Sequence, residues 1–178
     1  MQQYVMYLRK SRYDKDYGEM DVEETLRRHQ AVLDEYAQKN NLTVTRVFRE
    51  VVSGESISQR PKMQELLDLI TKDDIAGVLC MDIDRLARGN SIDQGIVSQT
   101  FTYTNTKIIT PGKIYDPANE YDEEYVEFSL FMSRKEYKII NRRLERGRKQ
   151  SASEGRFMGG TAPYGYELQK IKGDKGNT

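Results

Sequence analysis

With 178 residues, 37% hydrophobic and 31% charged, the chain is long enough for one domain with a true core plus an extension. No apolar run approaches the ~20 residues of a membrane helix, and Met1-Gln2-Gln3-Tyr4 lacks the basic and apolar stretches of a secretion signal, so no membrane or export class is expected. Lys plus Arg equals Asp plus Glu at 28 each, so net charge argues for no polyanionic partner, and the single cysteine, Cys80, excludes an internal disulfide and points to a reducing cytoplasm.

Tyr4 to Arg9 reads as a first strand, followed by a polar loop through Gly18. Asp21 to Asn40 reads as a helix. Asp21 can cap it with Glu24 at capping-box spacing, and Leu26, Leu33, Tyr36 and Ala37 mark its apolar side. Thr43 to Arg49 is a second strand, and the loop Val52-Ser53-Gly54-Glu55-Ser56 follows. Pro61 suits the first turn of a helix whose Met63, Leu66, Leu67 and Ile70 fall at i, i+3, i+4 and i+7. Ala76 to Met81 is apolar throughout, as a central parallel strand is, and makes Cys80 a buried thiol. Ser91 with Gln94 opens a further helix carrying Ile92, Ile96 and Val97, and Lys107 to Thr110 forms a short strand before Pro111-Gly112. This alternation predicts an α/β fold, a mostly parallel sheet of four to five strands with helices on both faces.

Glu120 to about Ser153 contains no proline and only Gly147, which predicts one helix of ~30 residues, ~45 Å long. A helix that outgrows its domain packs on a partner or leads to another domain. Tyr125, Phe128 and Met132 share a face, with Ile139, Ile140 and Leu144 further along. Charge is segregated here. Asp116, Glu120, Asp122, Glu123, Glu124 and Glu127 precede Arg134, Lys135, Lys138, Arg142, Arg143, Arg146, Arg148, Lys149 and Arg156. Such a basic segment holds phosphates locally, or is simply a solvated helix face. Gly159 to Tyr166 is turn-forming, and the chain after Leu168 is polar.

Tyr7, Arg9 and Ser11 are spaced by two at the end of the first strand, so they project together. The third strand runs into Asp82-Ile83-Asp84-Arg85-Leu86-Ala87-Arg88, where a helical turn puts Arg85 and Arg88 on one face and Leu86 inward. With Ser53-Gly54 and Arg60 from the second strand's edge, one serine is surrounded by Arg9, Arg60, Arg85 and Arg88 at the carboxyl edge of a parallel sheet. Guanidinium groups bind the oxygens of a phosphoryl group bidentately and stay charged at any working pH, so a serine among arginines suits phosphoryl transfer with a covalent intermediate. Neither a Cys/His cluster nor a carboxylate spacing for a metal is present. Taken singly, each motif reads first as an ordinary ion pair.

In this order, Tyr7-Leu8-Arg9-Lys10-Ser11, Val52-Ser53-Gly54 with Arg60-Pro61, and Asp84-Arg85-Leu86-Ala87-Arg88 resemble the motifs of the serine recombinases: resolvases, invertases and large serine integrases. Glu136 and Arg143 stand where that family's long helix carries an E-R-x-x-I-x-E-R pattern, with Tyr137 and Arg142 departing from it. Gly159 to Tyr166 resembles the entry to the next domain in the large serine branch of integrases and transposases. The resemblance covers about residues 4 to 168 and implies the N-terminal part of a longer protein. It implies a catalytic core over residues 1–118, a long interface and DNA-contacting helix over 119–153, and a linker with the start of a downstream domain over 154–178.

By resemblance, Ser11 attacks a DNA phosphodiester to give 5′-phosphoserine, and Arg9, Arg85 and Arg88 hold the phosphate. Arg60 and Ser53 assist, Asp84 orients the arginines or helps protonate the leaving oxygen, and Tyr7 supports the site. His29 replaces a glutamine frequent in the family; it contacts phosphate, shuttles a proton, or is an ordinary half-exposed helix histidine. The resemblance further implies no metal or nucleotide cofactor and double-stranded DNA attachment or target sites as substrate. It implies a homodimer that forms a tetramer in the synaptic complex, DNA contacts from Arg142, Arg143, Arg146 and Arg148, and an interface at Tyr125, Phe128, Met132 and Ile140. A cytoplasmic recombinase of bacterial, phage or mobile-element origin fits. A non-catalytic DNA-binding or assembly module stays open, as does an unrelated α/β phosphatase or nucleotide-binding domain. Against the last, no Gly-rich phosphate loop follows the first strand.

Overall fold

The computed structural model of the chain describes residues 2–10, 22–52, 56–87, 91–156, 162 and 164–167. Strand β1 (Gln3–Lys10) organises the sheet. Every residue from Val5 to Lys10 is buried, which requires cover on both faces and a place inside the sheet. β1 pairs in parallel with β2 (Thr43–Val51) on one side and β3 (Ile75–Leu79) on the other. β4 (Lys107–Ile109) runs parallel to β3, and β5 (Ile114–Tyr115) returns antiparallel on β4, giving the order β2-β1-β3-β4-β5.

Parallel neighbours need crossovers, and three helices supply them: α1 (Val22–Lys39), α2 (Pro61–Lys72) and α3 (Ser91–Thr104). Alternation along β1 divides the core. Met6 and Leu8 face α1, packing with Leu26, Leu33, Ala37, Leu79 and Ile109. Val5 and Tyr7 face the other way, into Met63, Leu66, Ile70, Val97 and Phe101 of α2 and α3. Helices thus cover both faces of a mostly parallel five-stranded sheet, as expected. Cys80 is fully buried, and desolvation pushes its thiol well above the usual range.

Three local expectations need correction. The strand β5 was not foreseen. It is two residues long and follows a turn in which the Thr110 hydroxyl donates to the Lys113 carbonyl at 2.8 Å. Val97 is buried as expected, but Ile92 and Ile96 stand outside the core, because the buried residues of α3 are Asp93, Val97, Ser98 and Phe101, a stripe about 100° further round the helix. Gln94 does not close a capping box; its Nε2 donates to the Leu130 carbonyl at 2.6 Å. The expected cap Asp21 lies outside the described residues.

Helix α4 (Glu120–Ser153) has the length the sequence predicts. Asn119 caps it, its Oδ1 accepting the Tyr121 N–H at 3.0 Å. The chain divides into two compact units, Met1–Glu136 and Tyr137–Thr178. In the first, Val126 and Leu130 of α4 are buried in the core beside Phe101 and Tyr115. Both were missed by the reading that singled out Tyr125, Phe128 and Met132, which remain largely exposed. In the second unit, residues 141–150 of α4 are exposed throughout, with an ion pair from Lys149 to Glu145 at 2.8 Å.

Candidate active site

The site begins with the register of two strands. Tyr7 and Arg9 leave β1 on one face, opposite Phe48 and Glu50 of β2. Glu50 is buried at the centre of a polar knot. Its Oε2 accepts the Tyr7 hydroxyl and Arg60 Nε, the latter at 3.4 Å, and its Oε1 accepts the Lys62 backbone N–H at 2.9 Å. That N–H is one of the orphan donors in the first turn of α2, where a carboxylate is also favoured by the helix dipole. Arg60 precedes Pro61 and is only 2% exposed. It donates through Nη2 to the Tyr7 hydroxyl at 2.6 Å and to the Arg85 carbonyl at 3.0 Å, and through Nη1 to the Leu86 carbonyl at 2.8 Å. Its guanidinium also lies 5.5 Å from the centre of the Tyr7 ring. Burial pushes the Tyr7 phenol well above its usual range, with Arg60 opposing and Glu50 reinforcing, so it stays protonated.

These bonds fix the strand-to-helix segment after β3. A 3-10 turn at Ile83–Arg85 puts Leu86 fully inside, as the spacing predicts, and leaves Asp84 and Arg85 half-buried at the carboxyl edge. Arg85 Nε lies 3.7 Å from Asp84 Oδ1. Arg9 donates to the Arg85 carbonyl at 3.2 Å and the Asp84 carbonyl at 3.4 Å. Among the described residues no carboxylate pairs with Arg9 directly. Burial first, then repulsion from Arg60, lowers it to about 10, still a cation at neutral pH.

On the other face of β1, buried Lys10 donates from Nζ to Thr25 Oγ1 of α1 at 2.6 Å. His29, one turn further along α1, is half-buried. Burial, then Arg85 and Lys10, hold its pKa below the ordinary histidine value, so the imidazole is neutral at pH 7. The Asp82 carboxyl is raised by burial and by Asp84, with Arg85 opposing.

Tyr7, Arg9, Arg60, Asp84 and Arg85 therefore meet at one edge of the sheet, as the sequence predicts. Ser11, Ser53 and Arg88 lie outside the described residues. Arg142, Arg143, Arg146 and Arg148 are exposed on α4 in the second unit, as is Ile140. Tyr125 is half-exposed and stacked on Tyr115, ring centres 5.5 Å apart. Sequence reasoning missed Glu50, because it ended the second strand at Arg49. The signal was the i, i+2 step from apolar Phe48 to Glu50 at the carboxyl end of that strand. Among the described residues no group of three or more His, Cys, Asp or Glu converges to hold a metal, and no helix is long and apolar enough to cross a membrane.

A mostly parallel five-stranded sheet, arginines gathered at its carboxyl edge and a long final helix define a resolvase-type domain. The sequence matches the family described as "Resolvase, N terminal domain" over residues 4–157, and the chain belongs to that family, the catalytic domain of the serine recombinases. The same fold occurs in the N-terminal catalytic domain of TP901-1 integrase, with a TM-score of 0.55 and 19% identity over 78% of this chain and 98% of that one. It occurs also in a resolvase family site-specific recombinase from Streptococcus pneumoniae, with a TM-score of 0.56 and 19% identity over 86% of this chain and 99% of that one.

Proposed function

We propose that the chain cuts and rejoins DNA with Ser11 as nucleophile. Ser11 Oγ attacks a backbone phosphorus, the bond from phosphorus to the 3′ oxygen breaks, and the 3′ oxygen leaves as a hydroxyl with the proton the serine gives up. The 5′ phosphate stays on Ser11, so a new 3′-hydroxyl rejoins the strand by the reverse attack without an external energy source. Arg9, Arg85 and Arg88 bind the non-bridging oxygens, where negative charge builds up. Asp84 orients Arg85; Arg60, Tyr7 and Ser53 support the arrangement. The scheme uses no metal or nucleotide cofactor.

The observation that carries this reading is the cationic edge itself. Arg9 and Arg85 are held side by side, and Arg9 is buried with carbonyls rather than carboxylates as its partners. Such an arrangement favours an anion between the two groups, and a phosphodiester supplies one. Arg142, Arg143, Arg146 and Arg148 contact double-stranded DNA at attachment or target sites. Tyr125, Phe128, Met132 and Ile140 join subunits into a dimer and then a synaptic tetramer. The outcome is integration, excision or transposition of a mobile element.

The test is a denaturation-resistant protein–DNA adduct. The full-length protein is incubated with candidate site DNA, quenched in detergent and resolved by electrophoresis. Wild type forms the adduct and Ser11→Ala does not. Absence of adduct on DNA that is demonstrably bound refutes the chemistry and leaves a binding or assembly role.

A further inference from the structure

Helix α1 is fastened to the sheet at two points, and His29 lies between them. On β1, buried Lys10 donates from Nζ to Thr25 Oγ1 at 2.6 Å. On β2, Arg49 stands opposite Leu8, on the same side of the sheet as Lys10. It donates from Nε to Gln30 Oε1 at 3.0 Å, and from Nη2 to the same oxygen. His29 comes one turn after buried Thr25 and one turn before buried Leu33, in the line of α1 that faces the sheet. The ring is half-buried, and among the described residues no hydrogen bond or ion pair holds it.

The charges that act on this ring are cationic. Lys10 reaches it from β1 and Arg85 from the segment after β3, and after burial itself these two keep the imidazole neutral. Lys10 has no carboxylate partner among the described residues. In the segment of Arg85, Asp84 Oδ1 lies 3.7 Å from Arg85 Nε, and the Asp82 carboxyl is pushed towards its neutral form. Arg49 of β2 is engaged with Gln30. On α1 itself, Glu24 pairs with Arg28 at 3.0 Å, and Glu23 and Arg27 are exposed. An anion arriving among Lys10, Arg85 and His29 reverses the balance, because an opposite charge within ~4–6 Å favours the imidazolium that two like charges had opposed.

We propose that His29 is a proton-linked phosphate ligand: neutral in the free protein, it takes up a proton from solvent when a DNA phosphodiester binds beside Arg85, and the imidazolium then donates to a non-bridging oxygen. This rests on the reading of the edge as a phosphate site. Its consequence is that DNA is held more tightly as the pH falls, through one identifiable group.

His29 is the only histidine in the chain, so its ring C–H gives one resonance that needs no assignment. Its titration is followed by NMR from about pH 8 to about pH 5.5, in chloride, in dimethyl phosphate at matched ionic strength, and with a duplex carrying the candidate site. Neither diester titrates in that range. The Nε–H signals of Arg9 and Arg85, assigned by their loss in Arg9→Lys and Arg85→Lys, report whether the edge is occupied. Both diesters raise the His29 midpoint by about one pH unit over chloride. Duplex affinity then rises by about tenfold as pH falls through the bound midpoint, and levels off below the free one. His29→Gln, which stays polar but does not titrate, flattens that profile. Equal midpoints in chloride and in the diesters, with the arginine signals moved, overturn the proposal, as does a pH profile that survives His29→Gln. If no diester moves the arginine signals, the phosphate reading of the edge fails and the proposal falls with it. Running the series in Ser11→Ala as well keeps the result independent of whether the covalent adduct forms.

Discussion

Glu50→Ala isolates the buried knot under the site. Arg60 and Glu50 side chains are each 2% exposed, and Arg60 Nε lies 3.4 Å from Glu50 Oε2. Removing the carboxylate leaves Arg60 buried without its counter-charge, strips the Tyr7 hydroxyl of its acceptor and frees the Lys62 N–H at the start of α2. Breaking a buried pair from one side costs about 3–5 kcal/mol, out of the ~5–15 kcal/mol that hold a domain together. For a chain of this size that corresponds to a fall in Tm of roughly 6–20 °C. The assay is chemical denaturation of wild type, Glu50→Ala, Glu50→Leu, Arg60→Met and the double variant Glu50→Leu/Arg60→Met, with the slope checked for constancy and additivity judged on the Glu50→Leu cycle. Each single variant drops by about 3 kcal/mol or more, while the double variant loses clearly less than the sum, because no charge is left buried alone. A loss below about 1 kcal/mol in Glu50→Ala, or strict additivity, refutes the idea that these two groups depend on each other.

Two pH dependences follow from the same structure. The Tyr7 phenol is raised above its ordinary value of 10.0, so between that pH and the folded value the unfolded chain releases a proton that the folded chain keeps. Its contribution is complete below pH 10 and is lost as pH rises. The stability gap between wild type and Tyr7→Phe therefore narrows from pH 8 to pH 11, and an equal gap at both refutes the assignment. Asp116 and Asp122 are held below the ordinary 3.8 by Lys107 and Lys113, at 2.7 and 2.6 Å. Their contribution is present above that pH and is lost as pH falls through the folded values. The gap between wild type and Asp122→Asn at pH 6 thus shrinks towards pH 2, and a gap that stays constant contradicts the pairing.

Much of the fold follows from local pattern. The apolar run at Ala76 to Met81, the i, i+3, i+4, i+7 stripe after Pro61 and the absence of proline from Glu120 to Ser153 each set one element by nearby residues alone. What escaped depends on distant partners. Two residues at Ile114–Tyr115 are too few to show a period, and they become a strand only because β4 offers an edge. Of the apolar residues expected in α3, Ile92, Ile96 and Val97, only Val97 is buried, because all three are equally apolar and tertiary packing decides which stripe faces inward. Glu50 belongs to the site through register: it lies opposite Arg9 across β1 and β2, a pairing that neither strand states by itself.

The roles of the arginines also separate only in three dimensions. By residue type and spacing alone Arg9, Arg60 and Arg85 surround the serine alike; only the family resemblance sets Arg60 apart as assisting. In the fold Arg60 has committed its donors to Glu50, Tyr7 and two backbone carbonyls, which makes it part of the frame. Arg85, half-buried at the carboxyl edge, is the group that this frame presents, since its own carbonyl and that of Leu86 are the acceptors. A buried ionic frame is rarely the most stable way to fill such a space, because apolar groups of similar volume avoid the desolvation. Its use here is orientation. Cationic side chains held close together repel one another, and only bonds made at their backbone keep them converged before an anion arrives. On that reasoning a Glu50→Leu/Arg60→Met protein that regains stability still loses the ordered cationic edge, so stability and site geometry part company in that one variant.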